Sequence, residues 1–256
     1  MWQFVASIQA DQVVFQDAAG RTLTTRDVEG ITGQVPWAAA GRDGVPEEAV
    51  QLHQKARMAG TKGDHRRALA LLDRARGLAP GWPHPVYDAA VTRLLQGDAA
   101  AAEEDYAEVD RLAPRGFFTC KTTLDSLRRE RTGALPAGFS RAFTTLEWLD
   151  DLTKKQAILE GIVEQYPAFA PAWRELAALL QDADARWQAI TKGLSGSPDG
   201  DTRGMLLIGK ALILVQRGEQ PEAIRILGEL ALDPQSTLAT ETLAKAALAR
   251  VTRKRP

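Results

Sequence analysis

GDHRRALALLDRARGLAP (residues 63–80) and GDAAAAEEDYAEVDRLAP (residues 97–114) are one pattern written twice, 34 residues apart. Gly63-Asp64 returns as Gly97-Asp98, Ala68 as Ala102, Leu72 as Tyr106, and Leu78-Ala79-Pro80 as Leu112-Ala113-Pro114. A fixed period of this length marks an array of helix-turn-helix units. No unit of such an array buries its own apolar face, so each takes part of its core from a neighbour. The closing prolines end their helices, because proline lacks an amide hydrogen and clashes with the preceding turn.

Working outward, helical periodicity starts at Glu47, just after Pro46 at a helix start. It predicts an A helix over 47–61 and a B helix over 64–78, then 83–95 and 98–112 for the second pair. Small residues stand at matching places, Ala56 and Ala90 on the A helices, Ala68 and Ala102 on the B helices. The pattern returns as Trp173-x-x-Leu176-Ala177-x-x-Leu180, with a shortened B helix over 184–198. It returns again as Leu207-x-x-Lys210-Ala211-x-x-Leu214 followed by Gly218-Glu219, Ala223, Leu227 and Pro234. A final helix over 236–252 is expected to cap the stack, ahead of the basic tail Arg253-Lys254-Arg255.

These residues resemble the tetratricopeptide repeat (TPR) family. The resemblance implies a right-handed α-solenoid of about 11–12 helices over residues 47–252, with the small residues where helix backbones approach closely. Register fails over 117–152. Phe117 to Arg131 suits a third A helix, Gly133-Ala134-Leu135-Pro136-Ala137-Gly138 interrupts it, and a further helix is expected over 139–151. Gly63 and Gly218 are 155 residues apart, which is no multiple of 34, so one irregular unit is required. Drift of a degenerate repeat and a built-in bend or binding feature both account for it.

Residues 1–40 differ in kind. Trp2-Phe4-Ala6-Ile8 alternates, Val13-Val14-Phe15 is β-prone, Asp17 to Gly20 is a turn, and Arg21 to Thr25 can return as a strand. A short extended piece near Val35 to Trp37 follows, and residues 38–46 read as a linker. A lone hairpin is marginal in water, so this small antiparallel meander should lie against the first helices, with Trp2 and Trp37 stapling it.

Composition narrows the class. Of 256 residues, 32 are Lys or Arg and 33 Asp or Glu, so no global field draws in a nucleic acid or an anionic membrane. No stretch approaches the roughly 20 apolar residues of a membrane span, and no secretory signal is read at the start. Cys120 stands alone, and with it a cytoplasmic setting is expected. A catalytic reading finds little. His53, His65 and His84 have no partners at metal-ligand spacing, no G-x-S-x-G, G-x4-G-K-[ST] or G-x-G-x-x-G occurs, and Cys120 falls at an inward helical position. Neither an enzyme nor a cofactor is expected.

The TPR resemblance also implies a concave groove lined by A-helix side chains. Carried over, these are His53 and Arg57 from the first A helix, His84, Tyr87, Asp88 and Val91 from the second, and Phe118, Lys121 and Arg128 from the third. The carboxylate clamp of chaperone-binding members is absent: its places hold His53, Arg57, Asp88, Phe118 and Thr122, and Asp88 repels a carboxylate. Acidic residues Glu103, Glu104, Asp105, Glu108 and Asp110 read as convex surface. Trp173, Trp148 and Trp187 read as core, and Trp82 as the exposed anchor.

The expected function is therefore a non-enzymatic adaptor holding a peptide or protein element in its groove, with neither nucleic acid nor membrane as partner. Two alternatives stand beside it. One is a structural subunit using convex or end surfaces, self-association included, for which Met205, Ile208 and Leu212 would be wet; the other is an accessory regulator of an enzyme.

Overall fold

The computed structural model describes residues 5–9, 12–17 and 19–252, so Trp2, Phe4 and the basic tail lie outside the described residues. Two compact units emerge, one of Pro36–Asp150 and one that joins Met1–Val35 to Asp151–Pro256. No helix among the described residues is long and apolar enough to cross a membrane.

The Pro36–Asp150 unit is built from α2 (Glu47–Thr61), α3 (His65–Leu78), α4 (Pro83–Gln96), α5 (Ala99–Leu112), α6 (Cys120–Arg131) and α7 (Phe139–Thr145). A short helix, α1 (Thr25–Val28), precedes them in the other unit. The repeated Gly-Asp has a local cause. Gly63 and Gly97 take φ of 77° and 86°, a left-handed conformation that only glycine adopts at little cost. The next residue then caps the following helix, Asp64 accepting from the Arg67 amide at 3.1 Å and Asp98 from the Ala101 amide at 3.1 Å. With the turn set, Ala56, Ala68, Ala90 and Ala102 are buried at the helix contacts, as the repeat implies. Tyr106 is fully buried where the first repeat carries Leu72, and the Cys120 thiol donates to its carbonyl at 3.2 Å.

Asp105 departs from its expected convex place. It is buried between Arg76, at 3.3 Å, and Arg93. In the irregular stretch α6 starts three residues later than expected, leaving Phe117 and Phe118 in the preceding loop. The Glu130 carboxylate then accepts from the amides of Gly138 (2.6 Å) and Ser140 (2.9 Å), holding the N-terminus of α7 with a negative charge where the helix dipole favours one. That helix is shorter than the expected 139–151 and ends in a 3-10 turn, Leu146–Trp148.

The second unit contains an antiparallel sheet in the order β1 (Val5–Gln9), β2 (Gln12–Gln16), β3 (Thr22–Thr24), followed by α1. Its helices are α8 (Leu152–Gln165), α9 (Ala170–Leu179), α10 (Ala183–Ser195), α11 (Gly200–Gln216), α12 (Gln220–Leu232) and α13 (Leu238–Thr252). Phe15 and Leu23 stand opposite each other across β2 and β3, so they share one face. With Val28 of α1 they enter a single core with Ile208, Leu214, Leu227 and Leu248. The sequence reading laid this sheet on the first helices; its apolar face goes instead to the last ones. The same core corrects the expectation for Met205, Ile208 and Leu212. Ile208 is buried, and the other two pack half-buried against the cluster, so the three are only partly wet.

Helix α11 meets α13 at Gly204. A Cβ built there would stand 2.0 Å from Thr240 Oγ1, inside a buried contact with no room to yield. Gly204→Ala is therefore expected to destabilise the chain by about 1–3 kcal/mol, the usual penalty of overpacking, in spite of alanine's better helix propensity. An unchanged urea melt would show that the two helices do not meet there. Removing residues 1–35 uncovers the apolar face over α11, α12 and α13 and is expected to lower the melting temperature and promote self-association. A truncated chain that stays monomeric with an unchanged melt would refute the packing of the sheet.

Candidate functional site

The expected groove residues belong to α2, α4, the loop before α6 and α6 itself, all in the Pro36–Asp150 unit. Placing α2 beside α4 brings His53 Nε2 to 2.8 Å from Asp88 Oδ2, with Arg57 Nε 3.8 Å from the same oxygen. His53 is buried and Arg57 exposed. The charge of Asp88, which the sequence reading took as repelling a carboxylate, is thus answered from the neighbouring helix. Beyond this pair a shallow cleft of about 160 Å³ lies between Arg57, Gly60 and Thr61 on α2 and Val91 and Thr92 on α4.

At the other end of the pair the side chains are aromatic. His84 stands 5.2 Å from Trp82 and 4.8 Å from Phe117, centroid to centroid. Tyr87 lies 5.2 Å from Phe118, and its hydroxyl is 2.9 Å from Thr119 Oγ1. Trp37, from the 3-10 turn Trp37–Ala39, packs at 5.8 Å on Phe117 and 5.4 Å on Phe118. Edge-on and tilted pairs of this kind set the ring quadrupoles favourably and hold the rings in fixed orientations. Phe118 is unusual twice over. It takes φ of 45°, a strained conformation for a phenylalanine, and the residue stays 40% exposed.

Burial governs the titrating groups. It pushes the Tyr87 hydroxyl up to about 12, opposed by the hydrogen bond to Thr119. It also draws His84 down to about 4, helped by repulsion from His53 and opposed by Asp88. His84 is therefore neutral near pH 7. Among the described residues no group of His, Cys, Asp and Glu is placed to hold a metal ion.

His53, His84, Tyr87, Asp88 and Val91 thus come together on adjacent helices and Phe118 joins them from the loop before α6, with Arg57 at their edge. Two of the expected cations do not join them. The Lys121 ammonium is 2.7 Å from Asp110 of α5, and Arg128 lies exposed farther along α6. Trp82, expected as an exposed anchor, is 3% exposed beneath His53 and His84. Trp148, expected in the core, is 59% exposed. Trp37 and Thr119 also touch these residues, and nothing in the linear pattern marks either for that place. Order in the chain assigns Trp37 to the sheet it follows, and only the third dimension puts it on residues about 80 positions away.

His84 yields a pH dependence whose sign is fixed. Its folded pKa lies below the ordinary 6.5, so its contribution to stability is full above that value and is lost as the pH falls toward 4. Urea melts between pH 7.5 and 4.5 are expected to show a steeper loss for the native chain than for His84→Gln. Parallel losses in the two would show that His84 is charged in the fold.

No protein-family model matches the chain, and no curated protein does. Among solved structures it is similar to MamA from Desulfovibrio magneticus RS-1, taken from its residue 41 to the end, at 15% identity over 82% of this chain and 99% of that one, with a TM-score of 0.34. It is also similar to TTC0263, a thermophilic TPR protein of Thermus thermophilus, at 18% identity over 78% of this chain and 98% of that one, with a TM-score of 0.33. The helical-hairpin architecture rests on the packing of the helices themselves rather than on these similarities.

Proposed function

We propose that the chain is a non-catalytic protein-binding module, an adaptor that holds a peptide or protein element on the face formed by α2, α4 and the loop before α6. The observation that carries this reading is Phe118. A strained backbone that keeps a large side chain partly in water, against a bed of other rings, is costly to the fold and fits a ring held ready for a guest. Tyr87 and Trp37 beside it supply rigid apolar area, while Arg57 and the half-exposed Asp88 at the edge orient a polar chain. A cytoplasmic setting fits the single, buried cysteine.

A specific observation also favours the assembly-subunit reading. Trp148, in the 3-10 turn that follows α7, is largely exposed, and the α7 rings of Phe139 and Phe143 stack at 6.0 Å. One experiment separates the two readings. A photoreactive benzoylphenylalanine is installed in the source cell at position 118, at 148, or at Glu104 as a control. The adaptor reading expects a discrete cross-linked protein from position 118, absent from the other two. Products from 148 alone would favour assembly through that tryptophan, and products from none of the three would refute the binding module.

A further inference from the structure

The second unit carries a larger cleft, independent of the aromatic face. Helices α9, α10 and α11 enclose about 370 Å³ between them. Its walls are aliphatic: Ala177 and Ala178 from α9, Ile190 from α10, and Met205, Ile208 and Leu212 from α11. Three charged residues line it as well, Arg174, Glu175 and Arg186.

These charges are not equivalent. Arg174 donates to Glu175, and the other carboxylate oxygen of Glu175 lies 3.8 Å from Lys155, so that acid is answered twice. Arg186 differs. Its Nε is buried away from solvent and has no hydrogen-bond acceptor among the described residues. Arg186 as a whole is only half-buried, so its charge stays within reach of the cleft while one donor of the guanidinium goes unpaired, which marks a place where an acceptor belongs. Arginine's planar fork matches a carboxylate, and the aliphatic wall beside it matches a branched side chain.

We propose that this cleft binds a segment of a partner protein in which a leucine or isoleucine side chain stands next to an aspartate or glutamate. The aliphatic group enters between Met205, Leu212 and Ile190, and the carboxylate pairs with the guanidinium of Arg186. A basic segment meets repulsion there. A neutral one leaves the Arg186 charge unanswered, so the charge sets the preference for the partner rather than only its affinity.

Random dodecapeptides displayed on phage, selected on the intact chain, supply the probes. Their binding is then measured by fluorescence anisotropy on the native chain and on Arg186→Gln, Ala178→Phe and Phe118→Ala. Ala178 is an exposed lining residue on a helix, so its phenylalanine variant fills the cleft from outside the core. The proposal expects enriched peptides to carry an acid beside a leucine or isoleucine. It expects Arg186→Gln to weaken them about tenfold or more, and Ala178→Phe to do the same. Replacing the peptide's acid by its amide should reproduce the loss on the native chain and add nothing on Arg186→Gln. The melting temperature of Arg186→Gln should be unchanged or raised, since the Arg186 Nε has no hydrogen bond to lose.

Enriched peptides without acids, acidic peptides indifferent to Arg186→Gln, or no binders at all would overturn the proposal. A lowered melt for Arg186→Gln would overturn it too, by making that residue structural. Peptides sensitive to Phe118→Ala alone would overturn it while leaving the aromatic face, and the adaptor reading, intact.

Discussion

The Pro36–Asp150 unit depends on how a helix turns into its partner. At Gly63 and Gly97 the backbone enters a conformation that a side chain resists, and the next residue, an aspartate, closes the first turn of the following helix. Two residues thus set where each hairpin folds back, and with it which faces meet. Alanines 56, 68, 90 and 102 then have a defined job: they fall where two backbones come closest, and anything larger would push the helices apart. The aromatic face is a product of this arrangement. Only when α2 and α4 lie side by side can His53 reach Asp88, 35 positions away.

What was legible in the sequence follows from this. Hairpins announced by a local turn could be read with their ends nearly right, because glycine's freedom and aspartate's capping act within a few residues. The groove residues contributed by α2 and α4 could be placed on one face for the same reason. Contacts that join distant segments left no local mark. Nothing near Phe15 says that its ring belongs with Leu248, and nothing near Trp37 points to Phe117. The four tryptophan assignments made from Trp82 onward divided evenly: Trp173 is buried and Trp187 half-buried, while Trp82 and Trp148 exchanged the roles expected of them. An indole is large enough to be either core or anchor, so its neighbours decide, and they are not visible in a linear pattern.

Charges were harder still. Asp105 sits in a run of acids that looks like solvated surface, yet Arg76 and Arg93 enclose it. Two guanidiniums oppose the desolvation that pushes its carboxyl up. Lys121 was expected to face a guest and instead meets Asp110 across the α5–α6 contact. In both cases helix periodicity gives the face but not the partner on the adjacent helix, and the partner decides whether a charge is available. Arg186 is the converse: an ordinary surface arginine by pattern, singled out only because its buried Nε meets no acceptor among the described residues.

The discontinuity of the second unit reaches into synthesis. Residues 36–150 are contiguous, so they can complete their hairpins while the ribosome is still working. The sheet cannot. Phe15 emerges about 230 residues before Leu248, a wait of roughly 10–50 s at ordinary elongation rates. For that interval the apolar face of β2 and β3 has no partner, and its closure spans nearly the whole chain, the kind of long-range contact that folds late. The nascent strand is thus the segment most exposed to chaperones or to mispairing, and a pause in translation after residue 150 would prolong that exposure without disturbing the hairpins already made.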